Sequence, residues 1–249
     1  MAADLRLVLA LVLLAGLAVA VLAVAGVRVR QQVVVAAVRA AIQLALIGSV
    51  LRLVFLHPWA VGAVLLVMLA TASWTAGRRL RELPGAGRAV VLSCLGGATS
   101  TLGIIFLTGA VAFSPRYVVA LGGIVLGGTM TAGTIAGRQL LTGIRTRREE
   151  VEGWLALGAT PRQSVADIVR TAAGEALLPA IDQTRTVGLV TLPGAFVGAL
   201  FGGASPAAAA RFQLVVLVGL LAAETVAAVS LTWLLGAPTV LPVAPPRVR

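Results

Sequence analysis

The sequence contains no lysine, one cysteine and one histidine, and only 12% of its 249 residues are charged. Without lysine, the chain has no lysine-containing phosphate-binding loop, no Schiff-base lysine and no lysine general base. Cys94 and His57 are too few for a disulfide framework or a Cys/His metal cluster. Soluble domains carry roughly 25% charged residues, so the low charge also argues against a soluble globular protein.

Apolar residues make up 59% of the chain, and several apolar runs exceed the roughly 18 residues that indicate a transmembrane helix. The sequence therefore predicts an all-α, polytopic membrane protein with a single transmembrane domain over residues 1–249. A secretory signal peptide is a poor interpretation of the first run, because the run is too long and arginines follow it directly. The seven predicted spans cover residues 7–27, 33–56, 59–77, 89–112, 117–137, 186–203 and 212–236.

The net charge of +11 comes from twenty arginines, most of them near the ends of the predicted spans, so it does not indicate nucleic-acid binding. Arginine is enriched on the cytoplasmic side of membrane proteins. With the N-terminus outside and the C-terminus cytoplasmic, four arginines lie on the outer side (6, 52, 116 and 211) and Arg39 lies within a span. The other fifteen lie on the cytoplasmic side: 28, 30, 78, 79, 81, 88, 138, 145, 147, 148, 162, 170, 185, 247 and 249.

The polar segment at residues 138–185 is predicted to be a cytoplasmic loop of two short helices. Thr160, Pro161 and Gln163 have the spacing of a capping box with proline at the first helical position. Gly158 is placed to end the preceding helix. Residues 157–161 therefore form a sharp corner between the two helices.

The helix predicted over residues 161–178 carries small apolar residues on one face. Two interpretations stay open: the helix lies on the lipid interface, or it is a coupling element pressed into a groove on a cytoplasmic ATPase. Small side chains and six acidic residues in the loop favour docking, since an interfacial anchor would favour arginine. The predicted coupling residues are Glu152, Leu155, Leu157, Gly158, Ala159, Thr160, Pro161, Gln163 and Arg170.

The predicted sixth span contains a proline in its middle. Pro193 removes one backbone donor and disturbs the carbonyl of Leu189, so a kink is expected there. The glycines that follow leave one face without side chains, which fits either a moving part or ordinary tight helix packing. The predicted gating residues are Leu192, Pro193, Gly194 and Gly198.

Polar residues within spans are the candidates for a translocation pathway. Arg39, Gln43, Thr129 and Glu224 are such residues. Glu224 could instead pair with a neighbouring polar group for packing, and Arg39 could extend its head group to the cytoplasmic interface. A hard cation would need oxygen ligands, and the sequence does not identify a set that converges.

Short motifs over most of the chain share the pattern of one permease family. They are RAAIQL at 39–44, ASW at 72–74, GIVLG at 123–127, LALGATP at 155–161 and, most specific, TVGLVTLPG at 186–194. In these motifs the chain resembles the FetB-type (YbbM-like) ABC transporter permeases. That family is linked to iron export in bacteria and is related to plant aluminium-tolerance permeases. Gly128, Thr129, Ala195 and Phe196 depart from the family pattern, which has Asn and a small residue at the first two positions and methionines at the others.

The resemblance implies a homodimeric permease in the inner or plasma membrane, exporting iron or another metal ion. It implies two copies of a separate P-loop ATPase that hold ATP and Mg, with no cofactor and no catalytic residue on this chain. An ABC permease for a non-metal small molecule, such as a nucleotide-sugar, is an alternative, as is a stand-alone secondary transporter or channel. A membrane-embedded enzyme is disfavoured, because one histidine, one cysteine and no lysine leave little for catalysis.

Overall fold

The computed structural model describes residues 2–238 and 240–241, and side chains from residue 5 onward except those of 52, 53, 56 and 58. Arg247 and Arg249, two of the arginines predicted to be cytoplasmic, lie outside the described residues. The described part is helical, with one isolated β-bridge between Val187 and Thr191. The helices are α1 (Ala2–Val24), α2 (Arg30–Leu56), α3 (Pro58–Arg79), α4 (Ala86–Leu107), α5 (Pro115–Thr146), α6 (Arg148–Ala156), α7 (Pro161–Ser164), α8 (Ala166–Thr186), α9 (Gly194–Phe201) and α10 (Pro206–Leu235).

Six helices have the length and apolar composition needed to cross a membrane. They are α1, α2, α3, α4, α5 and α10, and they coincide with six of the seven predicted spans. The prediction of an all-α polytopic membrane protein is therefore confirmed.

The helix predicted over residues 186–203 is not continuous. The α8 helix ends at Thr186, residues 187–193 are not helical, and α9 has only 8 residues. Gly188 takes a φ of +81° and donates its N–H to the carbonyl of Thr191 at 2.9 Å, which turns the chain sharply. Pro193 is the N-cap of α9, so the predicted kink is a complete interruption. We call residues 187–193 the break.

The chain divides into two compact units, Met1–Pro58 and Trp59–Arg249. In the first unit, α1 packs against α2. In the second unit, α10 packs against α4, α5, α8 and α9.

Contacts between side chains and glycines show which long helices of the second unit are parallel and which are antiparallel. Leu65 and Leu80 of α3 contact Gly122 and Gly137 of α5 in the same order along both helices, so α3 and α5 are parallel. The α4 and α10 helices are antiparallel. Gly97 of α4 packs on Ala223 of α10, whereas Ile105, further along α4, packs on Gly219, which is earlier in α10.

The α5 and α10 helices are also parallel. Tyr117 and Phe212, near their starts, have ring centroids 5.6 Å apart, and Gly128 contacts Leu220 further along. The chain must therefore return from the end of α5 to the start of α10. We call the end of the unit where α5 and α10 terminate the loop end.

The return path is the discontinuous pair α8 and α9. Ile168 of α8 contacts Gly143 near the loop end. At the other end, Phe196 of α9 donates its backbone N–H to Oε1 of Gln213 at 3.0 Å. The predicted sixth span thus corresponds to parts of two helices and the break, rather than to one helix.

Candidate functional site

The predicted corner between α6 and α7 is present with the predicted cap. Thr160 donates its backbone N–H to Oε1 of Gln163 at 2.8 Å, and Gln163 returns its own N–H to Oγ1 of Thr160 at 3.3 Å. Pro161 occupies the first helical turn. Gly158 has a φ of +91°, a conformation that favours glycine. We call residues 157–161 the α6–α7 corner.

The corner presents apolar side chains to the outside. Leu157 is 83% exposed and Trp154, one turn earlier on α6, is 52% exposed. Leu155 and Ala159 are half-buried. The remaining predicted coupling residues are exposed: Glu152, Gly158, Thr160, Pro161, Gln163 and Arg170.

The apolar face of the helix predicted over 161–178 was expected on the lipid interface or in a groove of an ATPase, but it is buried within this chain. Val165 is fully buried, and Ile168, Ala172 and Ala176 are at most 4% exposed. They belong to the core that includes Leu140 of α5. This face therefore lies neither on lipid nor in a partner's groove, because α5 and α10 already cover it.

Ion pairs brace the corner against the bundle. Arg147, between α5 and α6, donates to Glu150 of α6 and to Asp167 of α8, both at 2.7 Å. Arg148 pairs with Glu152 at 2.8 Å. These groups are partly exposed, and solvent screens exposed pairs. The network therefore fixes the direction of α6 more than it adds stability.

The same network perturbs two ionisable groups. The hydrogen bond from Arg147 lowers the pKa of the Glu150 carboxyl. In return, Glu150 first and Asp167 second raise the pKa of Arg147. Arg147 and Glu150 thus both stay charged at neutral pH.

Two further contacts link the loop to neighbouring helices. Arg145, near the end of α5, forms an ion pair with Glu82 in the turn between α3 and α4. The guanidinium of Arg162 on α7 lies 4.4 Å from the ring centroid of Trp233 on α10, within the range of a cation–π contact. These contacts would therefore transmit movement of the loop to α3, α5, α8 and α10.

The structure brings together two of the four pathway candidates. Thr129 is fully buried, and its methyl group faces the same Gly97 that packs on Ala223, the neighbour of Glu224. Glu224 is 9% exposed, and its Oε1 would lie 2.6 Å from a Cβ at Gly128. Thr129 and Glu224 thus lie at one level inside the bundle.

Arg39 and Gln43, the other two candidates, are exposed on α2 in the first unit. Within the described residues, no group of three or more His, Cys, Asp or Glu side chains could hold a metal ion.

The predicted gating residues surround two clefts. Leu192 and Pro193 line one of about 400 Å³ together with Phe196 and Gln213. Gly194 and Gly198 line another, of about 820 Å³, beside the starts of α5 and α10. The break therefore leaves space around α9 instead of being packed on all sides.

Sequence reasoning missed the bond that holds α9 and the charges beside the break. Gln213 is 5% exposed in an apolar helix, and an isolated amide in such a helix is the signal that could have identified it. Asp182 and Arg185 were counted as loop residues, although they lie in the last turns of α8, on the return path between the two ends of the bundle.

The helices and the exposed, braced corner define a multi-pass membrane protein with a structured loop at one end. Residues 4–238 match the family described as Uncharacterised protein family (UPF0014), and the chain belongs to that family. The family resemblance predicted from the motifs is confirmed. No solved structure matches the chain.

Named relatives come from plants and bacteria. The chain is 39% identical over 198 residues to UPF0014 membrane protein STAR2 of Oryza sativa subsp. japonica, covering 79% of this chain and 70% of the relative. It is 38% identical to Protein ALUMINUM SENSITIVE 3 of Arabidopsis thaliana, covering 79% and 72%. It is 32% identical to Probable iron export permease protein FetB of Escherichia coli (strain K12), covering 77% and 74%.

Proposed function

We propose that this chain is the membrane-spanning permease subunit of an ABC transporter, driven by ATP hydrolysis on a separate cytoplasmic ATPase. One observation carries the proposal: the α6–α7 corner presents Leu157, 83% exposed, on a loop that ion pairs brace against the bundle. An exposed apolar side chain on a rigid, capped corner suits a groove on a partner protein.

The direction of the loop supports a cytoplasmic partner. Arg138, Arg145, Arg147, Arg148 and Arg162 lie in or beside the loop, and arginine-rich connections are retained in the cytoplasm. The loop end of the bundle is therefore the cytoplasmic end in this proposal, with the N-terminus outside and the C-terminus inside.

The division of labour follows from the residues present. The sequence has no phosphate-binding lysine, so ATP and Mg belong to the partner ATPase. This chain supplies no catalytic group. Closure of the partner would move the α6–α7 corner, and Arg147 and Arg162 would transmit the movement to α5, α8 and α10. Two copies of this chain and two of the ATPase make up the proposed assembly.

The proposed substrate is iron or another metal ion, moved outward. Support comes from the relative named as a probable iron export permease. A non-metal small molecule, such as a nucleotide-sugar, is the alternative substrate class.

Transport into inside-out membrane vesicles tests the proposal. Vesicles that contain this chain and the ATPase should accumulate radioactive iron when given ATP, and should not do so with a non-hydrolysable analogue. Vesicles with Leu157→Asp should lose most of the ATP-dependent uptake, whereas Leu157→Ile should retain it. Uptake without the ATPase would contradict the proposal and indicate a stand-alone transporter.

A further inference from the structure

Charged residues of α8 lie between the two ends of the bundle. Val169 is anchored at the loop end, since its Cγ2 would lie 2.7 Å from a Cβ at Gly236. At about 1.5 Å per residue, Asp182 is about 20 Å further along α8, whereas Gln213 lies about 35 Å from Gly236 along α10. Asp182 therefore lies well inside the layer that α10 crosses.

These charges point away from the bundle. Asp182 and Arg185 have side chains that are 70% and 76% exposed, and their closest approach to each other is 4.0 Å. Glu175 is also exposed, about two turns before Asp182 on the same side of the helix. The opposite side of α8 is buried through Ala172, Ala176 and Ala180. We call Glu175, Asp182 and Arg185 the charged face of α8.

The break adds exposed backbone beside these charges. Leu189 and Val190 at its tip are 89% and 77% exposed. Non-helical backbone within a membrane is stable only where protein or enclosed water covers it, because lipid offers no hydrogen bonds. The same holds for exposed charges at that depth. Lipid is therefore excluded as the neighbour of this surface.

The charges themselves favour one neighbour. A second copy of this chain offers Asp182 and Glu175 to Arg185, and Arg185 to the acids, as a self-complementary interface between identical subunits requires.

We propose that the charged face of α8 and the break form the surface on which two copies of this chain meet, with Asp182 of each copy opposite Arg185 of the other. The inference rests on the proposed function for its meaning, because it places the polar wall of the permease's pathway between the copies. The tips of the two breaks, at Leu189 and Val190, then face each other across the two-fold axis.

Cysteine cross-linking in native membranes tests this surface. The chain's one cysteine, Cys94, is buried, and Cys94→Ala provides the background. Leu189→Cys, close to the proposed axis, should form a disulfide-linked dimer on mild oxidation. Val218→Cys is the matched control, since Val218 is a 55% exposed apolar residue on α10. The expected result is several-fold more dimer from Leu189→Cys than from Val218→Cys.

Neutralising the charges gives a second measurement. Asp182→Asn and Arg185→Gln, each combined with Leu189→Cys, should reduce the dimer yield several-fold, whereas Arg170→Gln, on the exposed cytoplasmic part of α8, should leave it unchanged. Dimer from Val218→Cys but not from Leu189→Cys would overturn the proposal, as would Leu189→Cys that stays monomeric. Association with the ATPase depends on Leu157 and is measured separately, so failure of this surface and failure of the proposed function give different results.

Discussion

Phe196 donates its backbone N–H to the side-chain oxygen of Gln213, so one hydrogen bond of 3.0 Å ties the short helix α9 to α10. Gln213 lies in the interior of the bundle, where it is 5% exposed. All residues of α9 are at least partly exposed, and Ala195 adds packing against the core that includes Leu121 and Val216. The bond therefore helps to fix α9 at the end of α10 that is far from the loop end.

We predict that Gln213→Met lowers the thermal unfolding midpoint in detergent. Methionine has a similar size but offers no comparable acceptor, and the loss of such a hydrogen bond costs about 0.5–1.5 kcal/mol. Cys94 provides the measurement, because its buried thiol reacts with a fluorogenic maleimide once the bundle opens. Leu214→Met, at the exposed neighbouring position, is the control and should keep the wild-type midpoint. Equal midpoints for both variants would show that the bond does not hold α9.

Gly128 is expected to resist any side chain. A Cβ there would contact Leu220 Cδ1 and would lie 2.6 Å from Oε1 of Glu224. Overpacking of this kind costs about 1–3 kcal/mol, so Gly128→Ala should lower the unfolding midpoint. Adding Leu220→Ala should recover part of the loss. Gly127→Ala is the matched control, because a Cβ at Gly127 would meet nothing within 4 Å. A similar fall for both glycines would contradict this account.

Arg147 is predicted to transmit movement rather than to bind the ATPase. Arg147→Gln removes the ties to Glu150 and Asp167 but leaves Leu157 exposed. The ATPase should therefore still co-elute with the variant, while transport per ATP hydrolysed falls several-fold. Arg88→Gln, at an exposed position near the start of α4, is the control and should couple normally. If Arg147→Gln transported as much per ATP hydrolysed as wild type, the ion pairs of Arg147 would have no part in the mechanism.

The ion pair between Arg147 and Glu150 should also weaken at low pH. Arg147 lowers the pKa of Glu150, so the folded state favours the ionised carboxyl. The stabilisation is complete above the ordinary glutamate pKa of about 4.3 and is lost as the pH falls through the lower pKa of the folded state. The thermal unfolding midpoint of wild type should exceed that of Glu150→Gln by a constant amount from pH 5.5 to 8. The two midpoints should converge in strong acid. A difference that first appears above neutral pH would contradict the assignment.

The sequence was sufficient for the helices and for the corner. Apolar runs of membrane length predicted seven spans, and six of them are long helices in the structure. The spacing of Thr160, Pro161 and Gln163 predicted the capping box. Both signals are local. Burial of Val165 could not be predicted in the same way. Its apolar face would suit lipid, a partner or the chain's own bundle equally well, and only the contact with α5 decides among them.

The crossing made of α8, the break and α9 shows the same limit. Pro193 predicted a disturbed helix, but the size of the interruption depends on Gly188 and on the bridge between Val187 and Thr191. The place of Asp182 follows from α5 and α10 running in parallel, which no local pattern encodes. Thr129 and Glu224 were predicted as polar residues within spans, and only the packing of Gly97 and Gly128 brings them to one level.

Co-purification with the ATPase is the most direct test of the central claim, that a separate ATPase drives this permease through the α6–α7 corner. Wild-type permease in detergent should retain a co-expressed P-loop ATPase that has no spans of its own. Leu157→Asp should abolish co-elution and keep the wild-type unfolding midpoint, because Leu157 is 83% exposed. Val151→Asp places a charge at a 1% exposed position and is the control for misfolding. It should lose both co-elution and the wild-type unfolding midpoint. A wild-type permease that retains no ATPase, or a Leu157→Asp variant that retains it fully, would contradict the claim.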